Sequence, residues 1–162
     1  DEPKQDASVG NKEGIKGGVI DTKTRTSHIS WIPFKKMHEM YKDIERIMKT
    51  TNGNHFGFDG MEINELAQYT EYPEGGFYDW HVDNDVNMQH EPPVRKISMT
   101  LLLSPESEFE GGDLELMKEG KIAKLKQGHA VFFASFIRHR VTPVIRGKRN
   151  SLVMWFGGTP FR

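Results

Sequence analysis

The stretch Ala130-Val-Phe-Phe-Ala-Ser-Phe-Ile-Arg-His139-Arg-Val-Thr-Pro-Val-Ile-Arg-Gly-Lys-Arg149-Asn-Ser-Leu-Val-Met-Trp-Phe156 reads as short strands and turns. Ala130–Ala134, Arg138–Val144 and Ser151–Phe156 are rich in β-branched and aromatic residues, which suit a half-buried pleated surface. Arg146-Gly147 supplies turn chemistry between the last two. The same texture runs back to Met61, with strands expected over Glu62–Tyr69, Phe77–Val82, Ile97–Ser104, Asp113–Met117 and Ile122–Leu125. Their separators are Pro73-Glu-Gly-Gly76, Pro92-Pro93, Gly111-Gly112, Glu119-Gly120 and Gln127-Gly128. Upstream the period changes. Phe34, Met37, Met40/Tyr41, Ile44 and Ile47/Met48 recur at helical steps, with Pro33 suited to the first turn and Asn52-Gly53 to the stop. This stripe predicts a helix packed on a sheet. About eight strands after one or two helices predict a mainly β fold with supporting helices on one face, a double-stranded β-helix or jelly roll.

The 162 residues suffice for one domain with a sizeable core. Residues 1–18 are polar and Lys/Gly-rich, and read as a flexible or edge segment; residues 19–162 read as the single domain, opening with a strand and loop to Ser30. A net charge of −1 argues against a general nucleic-acid or membrane-surface binder. No apolar run approaches the roughly 20 residues that span a bilayer, and no signal peptide is visible in these residues, which begin at Asp1 rather than Met and leave a trimmed targeting segment open. Cysteine is absent, which excludes disulfides, thiolate nucleophiles and Cys-based metal sites and fits a reducing, cytoplasmic setting.

Two residues apart on a strand, His81 and Asp83 of His81-Val-Asp83 point the same way. With His139 brought alongside they form two imidazoles and a carboxylate, the facial set that suits non-haem Fe(II) and leaves open positions. Arg149 adds a permanent forked cation of the kind that grips a carboxylate in two places. Iron beside a carboxylate-binding arginine reads as an oxygenase using a 2-oxo acid. Asp79 shares strand parity with His81 and is the rival carboxylate, whereas Asp85 falls in the following turn. His28, His38, His55, His90 and His129 stand in no ligand pattern and read as structural or exposed. Alternation sets Lys148 on the face opposite Arg149, and Arg146 sits in a turn. The basic cluster Arg138, Arg140, Arg146, Lys148, Arg149 is broken by apolar residues and balanced by acidic stretches, so no nucleic-acid groove is expected.

The stretch Tyr72-Pro-Glu-Gly-Gly-Phe-Tyr78-Asp-Trp-His81-Val-Asp83-Asn84 resembles the Tyr-x-x-Gly-x-x-Tyr-x-x-His-x-Asp segment of prolyl 4-hydroxylase-like 2-oxoglutarate/Fe(II) dioxygenases, and is most similar to the PKHD-type hydroxylase branch. Three further blocks match in order: Val94–Ser104, Phe109-Glu-Gly-Gly-Asp-Leu-Glu-Leu116 and His139-Arg-Val-Thr-Pro-Val-Ile-Arg-Gly-Lys-Arg149. The resemblance covers roughly Glu62 to Phe156. It implies His81, Asp83 and His139 as iron ligands, and Arg149 on the far carboxylate of 2-oxoglutarate. Tyr72 matches a tyrosine that contacts the cosubstrate, and Ser151, on the same strand face as Arg149, adds a hydrogen bond. Leu102, Leu114, Val141 and Trp155 match apolar pocket walls; Leu102 stands where related enzymes carry a second cosubstrate-binding tyrosine. Tyr78, Trp80 and Arg95 match positions near substrate, with packing and a surface ion pair as their alternative.

The resemblance therefore implies Fe(II), 2-oxoglutarate and O2 as the reacting set, with a substrate C–H hydroxylated while succinate and CO2 are released. A peptide or protein substrate, proline above all, is expected, with a small-molecule hydroxylase as the alternative and a non-catalytic binding module behind both. A long open groove with a mobile Asp83–Pro93 loop would favour peptide, and a closed cup a small molecule.

Overall fold

The computed structural model describes residues 5–6, 24–84 and 92–160. In chain order the elements are β1 Gln5–Asp6, β2 Arg25–Thr26, β3 His28–Ile32, α1 His38–Thr51, β4 Glu62–Ile63, β5 Ala67–Tyr72 and β6 Phe77–His81. There follow β7 Val94–Leu102, β8 Phe109–Gly111, β9 Leu114–Leu116, β10 Ile122–Ala123, β11 Ala130–Ala134, β12 His139–Val141, β13 Val144–Gly147 and β14 Arg149–Gly158. A large sheet runs β1-β3-β5-β14-β7-β11 with β4 on the end of β14; a smaller one runs β10-β9-β12-β6-β2; β13 and β8 pair separately. The expected jelly roll is the observed core.

Alternation along the long strands divides the large sheet into two faces. Ile97 and Met99 of β7 and Leu152, Met154 and Phe156 of β14 point toward α1, where they pack with Tyr41, Ile44 and Met48. Their neighbours Ser98, Thr100, Arg149, Ser151 and Trp155 are also buried, on the opposite parity. That second face looks toward the small sheet. Between the sheets lies a separate apolar cluster of Tyr72, Leu114, Phe133, Val141 and Val144. The Tyr41 hydroxyl ties helix to sheet, donating to Ile32 O at 2.5 Å and accepting from Ala67 N at 2.7 Å.

The helix differs from expectation at both ends. It begins at His38 rather than at Pro33, and Phe34, Met37 and Ile47 of the expected apolar stripe are 42%, 45% and 51% exposed. Phe34 instead stacks on Tyr41 with centroids 4.7 Å apart. Beyond α1 the chain does not stop at Asn52-Gly53 but winds through a π-helical segment, Asn52–Phe56. The Asn52 side chain holds this extension, donating to Phe58 O at 2.7 Å and accepting from Phe58 N at 2.9 Å. Gly57 ends it at φ 71, a left-handed conformation that suits glycine.

Two expected strands divide. Glu62–Tyr69 is β4 and β5, with β5 running on to Tyr72, and Arg138–Val144 is β12 followed by β13. The break after Val141 follows from Thr142-Pro143, because proline cannot donate to a ladder. Arg146-Gly147 consequently closes β13 rather than a free turn. Of the N-terminal segment, Gln5–Asp6 pair with β3 at the sheet edge. The expected mobile loop, with Asp85 and His90, falls largely outside the described residues. No helix among the described residues is long and apolar enough to cross a membrane.

Candidate active site

His81 closes β6 and His139 opens β12, and the antiparallel register sets them directly opposite each other. Asp83 lies just past β6, where its backbone N–H donates to Ser135 O at 2.9 Å. Both His81 Nε2 and His139 Nε2 are 3.5 Å from Asp83 Oδ1. One ligand atom from each of the three lies within 4.8 Å of the others, the one such group of three among the described residues.

The two imidazoles are oriented alike. His81 Nδ1 is 2.7 Å from Asp79 O and His139 Nδ1 is 2.8 Å from Ile137 O. A backbone carbonyl can only accept, so each Nδ1 carries the proton and, in the neutral ring, each Nε2 keeps its lone pair for a metal. Ser98 Oγ donates to Asp83 Oδ2 at 2.6 Å and lies 3.0 Å from Ser135 Oγ, which leaves Oδ1 to face the histidines. Burial alone would raise the Asp83 carboxyl; when the two rings are protonated, a hydrogen bond from His81, the charges of both histidines and the Ser98 hydroxyl outweigh it and hold the group well below the usual carboxylate range. Burial is also the main influence on His139 and lowers it, favouring the neutral ring that ligates.

A bulge decides between the rival carboxylates. β12 pairs His139 with His81 but Val141 with Tyr78, so two steps on one strand span three on the other. Simple alternation therefore fails across β6. Tyr78 and His81 come to one face with rings stacked 3.5 Å apart, while Asp79 turns to solvent and caps the Trp80 N–H at 2.7 Å. Trp80 leaves the mouth and lies beneath Arg138 and Arg140 on the outside. Of the other histidines, His38, His55 and His129 are exposed and His28 lies on β3, none joining the cluster.

Arg149 is 2% exposed, its guanidinium 5.6 Å from the Tyr72 ring and hydrogen bonded to Ser151 Oγ at 3.3 Å. Among the described residues no carboxylate lies within ion-pair distance of it. A buried guanidinium without an anion is costly to fold around, and fits a ligand carboxylate. Gly112, at φ 60, makes room: a Cβ there would lie 2.9 Å from Arg149 Cδ. Lys148 indeed turns out from the sheet to Glu71, while Arg140 and Arg146 pair with Glu115 and Glu110.

The three candidate ligands, Tyr72, Leu114, Val141, Arg149, Ser151 and Trp155 all line one open cleft of about 1110 Å³. Leu102 is not in that lining; it walls an adjoining cavity of about 220 Å³ on Arg149 and Leu114. Arg95 is at the cleft rim, bonded twice to Glu65 at 2.6 and 2.7 Å and stacked 3.8 Å over Trp155. The ion-pair alternative for Arg95 and its place near the mouth are thus both observed. Sequence reasoning missed Ser98, which a polar residue inside the apolar run Ile97–Leu102 could have signalled. It also missed Arg25, from a polar stretch with no local signal, which lines the cleft with its guanidinium 4.5 Å over the Tyr78 ring.

Comparison with known proteins identifies the family and the fold. Residues 67–157 match the family model described as 2OG-Fe(II) oxygenase superfamily. A PKHD-type hydroxylase of Acidovorax ebreus is 36% identical over 95 residues, covering 54% of this chain and 41% of the relative. One from Hyphomonas neptunium is 40% identical over 85 residues, covering 51% and 38%. The match thus spans about two fifths of the length of these relatives. Among solved structures, a Pseudomonas putida prolyl-4-hydroxylase superposes with TM-score 0.65 at 23% identity, over 85% of this chain and 75% of that one. A prolyl hydroxylase from Trichoplax adhaerens, in complex with a hypoxia inducible factor oxygen degradation domain peptide fragment, gives 0.69 at 20% identity, over 93% and 70%. These two establish likeness of fold. With the family match running from β5 through most of β14, across every strand that bears a candidate ligand, the chain belongs to the 2OG-Fe(II) oxygenase superfamily.

Proposed function

We propose that residues 19–162 form the single catalytic domain of a hydroxylase that uses Fe(II), 2-oxoglutarate and O2 to hydroxylate a peptidyl residue, proline above all. The observation that carries this reading is the meeting, in one cleft, of the His81–Asp83–His139 group with the buried Arg149, which has no carboxylate within ion-pair distance among the described residues. Bound there, Fe(II) and 2-oxoglutarate would supply O2 activation, one oxygen atom entering the substrate C–H bond and the other the succinate that is released with CO2.

The chain's own residues do the remaining work. His81, Asp83 and His139 would hold the ion, with backbone carbonyls fixing both rings and Ser98 fixing the carboxylate. Arg149, steadied by Ser151 and Tyr72, would neutralise the far carboxylate of the cosubstrate in a site that excludes water, where such pairing is stronger than in solution. Leu114, Val141 and Trp155 would wall the cleft, and Leu102 the space beyond Arg149, keeping wasteful reactions out. An open cleft favours an extended peptide over the small-molecule alternative, and the PKHD-type and prolyl hydroxylase likenesses point to proline.

The test is an anaerobic titration of metal-free protein with Fe(II) and then 2-oxoglutarate, following the visible charge-transfer band of the chelate. The wild type should show the band and His81→Ala should not. No band in either protein would overturn the assignment.

A further inference from the structure

The cleft contains an arginine for which the reaction just proposed has no task. Arg25, on β2, is 7% exposed and lines the same cleft as the three candidate iron ligands. Its Nε donates to Ser27 Oγ at 2.7 Å, and its guanidinium lies 4.5 Å over the Tyr78 ring. Tyr78 in turn stacks on His81 at 3.5 Å, so Arg25 is two ring contacts from a candidate iron ligand. The three arginines of the cleft differ in what they face. Arg95 is neutralised by a two-bond contact with Glu65, and Arg149 is assigned to the cosubstrate. For Arg25, no carboxylate lies within ion-pair distance among the described residues.

A guanidinium has five donors in a fixed fork. Here one donor is used by a neutral hydroxyl, and one face is covered by an aromatic ring. Removing such a group from water without an anion is expensive, and an incoming carboxylate restores what burial removes. Ser27 and Tyr78 hold the fork in place beforehand, so little further side-chain entropy is lost when an anion arrives. Glu65 is not that anion: both its oxygens bond Arg95, and it lies beyond ion-pair distance of Arg25.

We propose that Arg25 is a specificity-determining residue that binds a carboxylate of the substrate, so that the preferred substrate is a peptide carrying an acidic residue beside the hydroxylated one. This rests on the peptidyl hydroxylase reading. The carboxylate lies on the Tyr78 side of the cleft, and an amide in its place offers the fork a neutral acceptor without the charge.

The probes are capped five-residue peptides with a central proline, carrying Glu at one of the two positions on either side, each matched by a Gln peptide. Binding is followed by tryptophan fluorescence, with Trp31 and Trp155 in the cleft, on metal-free protein and on protein loaded anaerobically with Fe(II) and 2-oxoglutarate. At one position the Glu peptide should bind about tenfold or more tighter than its Gln partner, the scale of a charge-assisted pair. Arg25→Gln should abolish that difference, lowering affinity for the Glu peptide to that for the Gln peptide and leaving the latter unchanged. Arg25→Lys should keep part of it. The charge-transfer band and the thermal midpoint should be retained in both variants. Equal affinity for Glu and Gln peptides at every position, a preference that survives Arg25→Gln, or no binding of any peptide would overturn the inference. Loss of affinity for both members of a pair alike would make Arg25 structural and overturn it as well. Loss of the chelate band in the wild type would instead count against the iron and cosubstrate assignment, so the two failures are distinguishable.

Discussion

Arg149→Met removes the buried fork while keeping an unbranched apolar stem, and separates the cosubstrate's two ends. At 2% exposure the guanidinium has almost no access to water, and its side-chain contacts are Ser151 and the Tyr72 ring. The far carboxylate of 2-oxoglutarate, placed there without it, would be a buried anion lacking its partner. Breaking a buried, hydrogen-bonded charge pair costs about 2–5 kcal/mol, which is roughly 30-fold to several thousand-fold in affinity at about 1.4 kcal/mol per decade. Methionine leaves no buried charge behind in the free protein, so folding should survive. The assay is the anaerobic chelate band on Fe(II)-loaded protein, titrated with 2-oxoglutarate and separately with 2-oxobutyrate. The second acid offers iron the same 2-oxo carboxylate but has no far carboxylate. Affinity for 2-oxoglutarate should fall by the stated factor, 2-oxobutyrate affinity should barely move, and Fe(II) should remain bound. An unchanged 2-oxoglutarate affinity, or an equal loss for both acids, would refute the role given to Arg149.

Ser98→Ala deletes the 2.6 Å hydrogen bond that turns Asp83 toward the histidines and should weaken Fe(II) binding roughly 10–100-fold, read by metal retained after dialysis. His139→Ala should abolish tight Fe(II) binding altogether, measured the same way, with the fold kept by circular dichroism. Gly112→Ala places a Cβ at φ 60 and 2.9 Å from Arg149 Cδ; it should cost about 1–3 kcal/mol of stability and weaken 2-oxoglutarate binding while iron stays bound. Tyr41→Phe leaves Ala67 N–H and Ile32 C=O without their shared partner and should lower the thermal midpoint by an amount corresponding to about 1–3 kcal/mol, with the iron site intact.

The parts of the site legible in sequence were those encoded by local geometry. Parity on a strand was enough to separate Arg149, buried, from Lys148, which is half-exposed and pairs with Glu71. The same argument failed on β6, in the other sheet. It made Asp79 a rival of Asp83, whereas the bulge between Tyr78 and His81 sends Asp79 outward. A bulge is set by how two strands meet, and β6 meets a partner nearly sixty residues later in the chain. Ser98 and Arg25 were missed for the same reason. What each faces depends on a strand distant in sequence.

The sequence by itself determined the jelly-roll class, because period-two patterning and turn residues are properties of a few consecutive residues; the family and the ligand candidates came from the resemblance that its motif blocks carry. Tertiary structure decided which carboxylate joins the histidines and which nitrogen each imidazole presents. It also decided that, among the described residues, two arginines of the cleft have no carboxylate within ion-pair distance while a third is neutralised by Glu65. Those outcomes are matters of distance between side chains on different strands, and electrostatics and hydrogen bonding act through that distance, which the chain acquires only when the two sheets close on one another.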